Sequence, residues 1–180
     1  MAIGLLMLRL VFGIALVAHA VQKLFGWFGG GGIAGTAPLM EQLGFRPGRL
    51  QAVLAGLVEA GGGLLLAAGL WTPLAAAMII AVMLVAAVTV HLAKGFFVQQ
   101  GGYEYTVVLA AGALALACTG PGAFSLDAAL DLDWSGLGWG MIALALGLLG
   151  GGAQLLTRSR RSPAQVPAHE ATEKRPTALS

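Results

Sequence analysis

Long apolar runs separated by short polar breaks divide this chain into five segments, at residues 4–21, 50–70, 73–93, 103–119 and 137–156. Each is close to the roughly 20 residues that an α-helix, rising about 1.5 Å per residue, needs to cross the hydrocarbon of a bilayer. The period-two alternation of barrel strands is absent from these runs, so helices must satisfy the backbone polar groups. The pattern predicts an all-α membrane protein: a four-helix transmembrane bundle with an additional fifth C-terminal transmembrane helix. Residues 1–156 form the transmembrane domain. Residues 157–180, rich in Pro, Ser, Thr and Arg, read as a disordered cytoplasmic tail.

The breaks carry their own signals. Trp71-Thr72-Pro73 predicts a tight turn, with Thr72 as N-cap and Pro73 at the first helical position of the third span. The connection from Gln22 to Arg49 contains Gly29–Gly32 and then Thr36–Leu43. That last segment suits either a short helix at the headgroup boundary or a flexible loop. Ala18-His19-Ala20 mimics a signal-peptidase site, but the apolar run continues as a full span and is expected to be retained. Gly136/Gly140 and Gly147/Gly151 are small-xxx-small pairs, which predict packing of the fifth span against the bundle or a second copy.

Composition narrows the chemistry. Charged residues make up only 10% of the chain against 58% hydrophobic, which places it among integral membrane proteins. There is no basic stripe of the kind that binds nucleic acid. Neither a G-x-S-x-G motif nor a phosphate loop occurs, since Gly29–Gly32 lacks the Lys and Ser/Thr of the latter. One cysteine, Cys118, excludes an intrachain disulfide or CxxC pair; it reads as a packing residue, with a reactive thiol the minor option. Lys23, Arg46, Arg49, Lys94, Arg158, Arg160 and Arg161 fall on one side of a five-span topology. Asp127, Asp131 and Asp133 fall on the other. The positive-inside rule then predicts a multi-pass plasma membrane protein with its N-terminus outside and its C-terminus in the cytoplasm.

The few ionisable residues within or beside the runs are the functional candidates, because each needs a partner in hydrocarbon. Arg9 and Glu59 lie inside the first and second spans and are expected to form a buried ion pair, either structural or functional; a protonated Glu59 is the alternative. His19, Lys23, His91 and Glu104 fall at span ends that share the cytoplasmic face, where they predict a ring at the inner mouth of the bundle. Small residues Ala52, Ala55, Gly56, Gly62 and Gly63 share a side with Glu59 and invite close approach of another helix. Such a ring suits a quinone or another polar headgroup better than a haem or a metal, for which no ligand spacing exists. Plain interfacial residues bonded to backbone and lipid phosphate are the competing reading. Lys23 by itself reads as a snorkelling anchor. Trp27, Phe28, Phe96 and Phe97 are expected as interfacial anchors.

Several motifs recur together: Arg9 with Gly13, His19 with Gln22-Lys23-Leu24-Phe25-Gly26, and Glu59 before Gly61-Gly62-Gly63. Thr72-Pro73, His91 with Lys94-Gly95-Phe96-Phe97, Gly102-Tyr103-Glu104-Tyr105, Gly120-Pro121-Gly122 and Ser125-Leu126-Asp127 complete the set. In these residues the chain resembles the DoxX family of small bacterial membrane proteins over about residues 5–130; the fifth span and tail depart from the family's four-helix pattern. The resemblance implies a membrane subunit or anchor of a redox complex. Related DoxD-type subunits belong to thiosulfate:quinone oxidoreductases, and mycobacterial members are tied to a complex that handles oxidative stress with soluble redox proteins. The chain alone is not expected to be catalytic. A small carrier or channel lined by Arg9 and Glu59, and a structural or assembly factor, are the alternatives.

Overall fold

The computed structural model describes residues 1–159, so most of the predicted tail, including Arg160, Arg161 and His169, lies outside the described residues. The helices are α1 (Ala2–Phe25), α2 (Gly32–Gln42), α3 (Gly48–Ala68), α4 (Thr72–Ala86), α5 (Glu104–Thr119), α6 (Leu126–Ala129) and α7 (Leu137–Leu156). Beyond Ala86, α4 continues through a widened π turn at Ala87–His91 and a 3₁₀ turn at Leu92–Lys94. Helices α1, α3, the extended α4 and α7 are long and apolar enough to cross a membrane. Helix α5, at 16 residues, is shorter and packs against α4 and α7. The chain is therefore an all-α membrane bundle, and its helices match the expected spans to within about one turn.

The helices run antiparallel along α1, α3, α4 and α5, with α7 closing against α4 and α5. Small residues decide which surfaces meet. A Cβ added to Gly13 would strike the Gly63 carbonyl, and one added to Gly63 would strike the Gly13 carbonyl, so α1 and α3 cross in backbone contact there. Gly112 leaves room for the Phe12 ring between α5 and α1. On α7, Gly140 accommodates Cys118, Gly147 faces Ile80 and Ala77, and Gly151 faces Ala81 and Leu84. Gly140, Gly147 and Gly151 of the fifth span thus pack within the chain, with Cys118 among the residues they meet, whereas Gly136 has open space beside it. Leu16, Leu66, Ile79, Met83, Leu109 and Leu116 fill the centre.

The α3–α4 turn differs in detail from the expected one. Trp71, not Thr72, precedes the helix, in a left-handed conformation, and Thr72 is its first residue. The cap comes from far along the chain. Asp127, fully buried in α6, accepts from Trp71 N at 2.7 Å, Thr72 N at 3.1 Å and the Thr72 hydroxyl at 2.7 Å. In return the Asp127 amide donates to the Gly69 carbonyl at 2.8 Å. A carboxylate on the first amides of a helix meets both unpaired donors and the positive end of the helix dipole.

Helix α2 begins four residues before the expected Thr36, and Thr36 does not cap it: its hydroxyl donates to the Lys23 carbonyl at 3.3 Å, tying α2 to the end of α1. Trp27, Phe28, Phe96 and Phe97 are all exposed at this same end of the bundle, as membrane-interface anchors would be.

Asp127→Ala removes three acceptor contacts and strands two helix-terminal amides. It is expected to destabilise the protein by about 3 kcal/mol in detergent unfolding. Asp133→Asn, at an exposed position bonded only to Ser135, is expected to leave the midpoint unchanged.

Candidate functional site

Glu59 is paired inside the bundle, but not with the cation that the sequence pattern predicts. Glu59, 2% exposed at its side chain, pairs with Lys23 of α1, which is 31% exposed. Arg9, fully buried, instead donates through Nη2 to the Phe124 carbonyl, and it packs against Gly69 and Ser125 at the opposite end of the bundle. Its remaining Nε and Nη1 groups have no partner among the described residues. The expected Arg9–Glu59 pair is thus replaced by two separate centres.

Helix register explains the exchange. Gly13 meets Gly63 and Arg9 meets Gly69, so the α1 backbone opposite Glu59 lies near residues 17–19, some 12–15 Å from Arg9 along the axis. Side chains on a helix also lean toward its N-terminus. That lean carries Arg9 away from Glu59 and carries Lys23, on the last turn of α1, back down toward it. The face of α3 that receives Lys23 is the small-residue face: Ala52, Gly56, Gly62 and Gly63 are all buried beside Glu59. Fully buried Leu16 and Leu66 lie between the two charged centres in this register.

The four residues expected to ring the mouth divide into two groups. His19 and Lys23 stay with the α1–α3 centre. The Gln22 amide donates to the Phe28 carbonyl at 3.2 Å, which turns its oxygen to His19 Nδ1 at 3.1 Å. His19 Nδ1 is then the protonated nitrogen, and Nε2 accepts from the Tyr105 hydroxyl at 3.3 Å. His91 and Glu104 instead organise the loop between α4 and α5. Nδ1 of His91 donates to the Gly101 carbonyl at 2.6 Å, and Glu104 accepts from Val98 N at 2.9 Å. The carbonyl on Nδ1 leaves Nε2 of a neutral His91 as an acceptor. Among the described residues, no three His, Cys, Asp or Glu side chains converge as metal ligands.

One feature brings Lys23 and His91 back together. A groove of about 650 Å³ opens between α2, α3, α4 and α7, lined mainly by aliphatic side chains. Its polar lining is Lys23, Thr36, Gln51, Thr89, His91 and Gln154. The volume is in the range of small-molecule sites, and a mostly apolar wall with a few polar groups is their usual composition. The tight turn at Asp127 holds α3 and α4 together at one end, where Gly62 sits against Met78 and Ile79. Toward the other end, α7 joins α3 through Gln154 Nε2 donating to Gln51 Oε1 at 2.7 Å. Arg158 and Ser159, donating to the Leu43 and Gly44 carbonyls, fasten the end of α7 to the α2–α3 connection. The π turn of α4 brings Thr89, Val90 and His91 into the groove wall.

Sequence reasoning missed Asp127, Tyr105, Gln51 and Gln154. A carboxylate behind Ser125 at a helix start was a readable cap signal, although its target, 55 residues earlier, was not. The glutamines gave no signal, because each is an ordinary polar residue near a span end.

A double-mutant cycle in detergent unfolding should give a coupling of about 2 kcal/mol for Lys23→Met with Glu59→Gln, and none beyond error for Arg9→Met with Glu59→Gln.

A family model described as DoxX matches residues 4–92. The Inner membrane protein YqjF of Escherichia coli (strain K12) is 31% identical over 132 residues, covering 73% of this chain and 95% of that protein. No solved structure matches. With a family match spanning α1 through the π turn of α4, and a relative aligned over nearly its whole length, this chain belongs to the DoxX family.

Proposed function

We propose that the chain is an inner-membrane subunit or anchor of a redox complex, and that its groove holds a quinone. The observation that carries this reading is the groove itself: an apolar slot bounded by α2, α3, α4 and α7, with Lys23 and His91 among its few polar groups. A quinone needs a long apolar channel for its tail and donors for its carbonyls, and Lys23 supplies ammonium protons there. Nε2 of His91 adds an acceptor that a quinol hydroxyl would use. Soluble partners would carry the remaining electron transfer. Inner-membrane residence is supported by the relative, an inner membrane protein. Placement of the N-terminus outside is supported by the basic residues at the Lys23 end and the acidic residues at the Asp127 end.

Two glycines of α7 offer a direct test. Gly150 lines the groove and has only Ala81 Cβ nearby, at 3.8 Å, so a larger side chain would fill the groove without striking backbone. Gly152 faces open space. Protein taken directly from membranes in mild detergent is expected to yield a bound quinone by mass spectrometry. Gly150→Leu should lower its occupancy by about tenfold while Gly152→Leu leaves it unchanged. Wild-type protein that carries neither quinone nor soluble partner would refute the reading.

A further inference from the structure

We propose that the Lys23–Glu59 pair sets which headgroup the groove accepts: an uncharged carbonyl compound with a long apolar body, rather than an anionic amphiphile. This rests on the groove reading above and adds the specificity of the site.

Lys23 is the one charged side chain among the described residues that line the groove. An isolated lysine at such a place would attract fatty-acid carboxylates or phosphate headgroups. This lysine is not isolated. Glu59, 2% exposed and packed among glycines and alanines of α3, is fixed against it, so the pair presents no net charge. An anion entering the groove would leave one negative charge uncompensated in a low-dielectric setting, which is costly. A neutral carbonyl adds no charge, and it can accept one of the ammonium protons that Glu59 does not use. The other polar side chains, Thr36, Gln51, Thr89 and Gln154, also offer hydrogen bonds without charge. Along α4 the lining extends from Leu74 to His91, about 26 Å of helix, which suits a chain-like apolar body. Lys23 is then the headgroup donor, and Glu59 the positioning residue that keeps the site neutral.

The test compares two probes of equal tail length, a decyl-substituted benzoquinone and decanoate, titrated against purified protein in neutral-lipid nanodiscs. Wild type is expected to bind the benzoquinone about tenfold more tightly than decanoate. Glu59→Gln, which leaves Lys23 uncompensated, should invert that order. The Lys23→Met, Glu59→Met double variant leaves no unpaired charge and guards against a folding defect; it should weaken the benzoquinone about tenfold without improving decanoate. Gly150→Leu should weaken both probes in proportion. Binding of the benzoquinone that Gly150→Leu abolishes, but with an unchanged probe ratio in Glu59→Gln and unchanged affinity in the double variant, overturns the headgroup inference alone. No binding of either probe, or binding indifferent to Gly150→Leu, overturns the groove reading and the inference with it.

Discussion

A charge inside hydrocarbon must find its partner within the protein, and in this bundle the approach of α1 to α3 decides which partner. The Gly13–Gly63 contact brings the two backbones together and fixes their register. Register and the N-terminal lean of helical side chains then send Arg9 to one end and Lys23 toward the middle. At the first end, Arg9 ties the segment after α5 to α1, and Asp127 ties it to the α3–α4 turn. In the middle, Glu59 receives Lys23. Replacing either glycine with a larger residue would therefore disturb two charged centres that never touch one another.

The same construction produces the groove. Helices α3 and α4 are tied at the Asp127 end, and side chains of both line the groove, from Leu74 to His91 on α4 and from Gln51 to Val58 on α3. Here α7, packed into α4 through Gly147 and Gly151 and latched by Gln154 to Gln51, supplies a further wall. The fifth span is thus the element that supplies this wall of the groove, through Leu146, Gly150, Gly151 and Gln154.

The bundle was legible in the sequence because membrane helices announce themselves by length and apolarity, and the fifth span, 137–156, coincides with α7. The small-residue face around Glu59 was legible for a similar reason: glycines and alanines at helical spacing on an apolar helix have few other uses. Partner choice was not. The places of the two charges inside the first and second spans suggest an Arg9–Glu59 pair, but a few residues of register shift and the direction of the side chains decide such a pair, and neither appears in hydropathy. His91 and Glu104 share a level with His19, yet local loop bonds to Gly101 and Val98 claim them first. The groove was hidden because it lies among four helices that are distant in sequence and includes one π turn, whereas the pattern of apolar positions marks each span separately.

The pairing of Glu59 is tested most directly by isotope-edited infrared spectroscopy of protein carrying labelled glutamate, with Glu59→Gln to assign the band. Wild type should show an ionised Glu59 carboxylate. Lys23→Met should shift that band, because the carboxylate loses the ammonium that donates to it. Arg9→Met should leave the band in place. A Glu59 band indifferent to Lys23→Met, or one that shifts with Arg9→Met, would contradict the arrangement on which the rest depends.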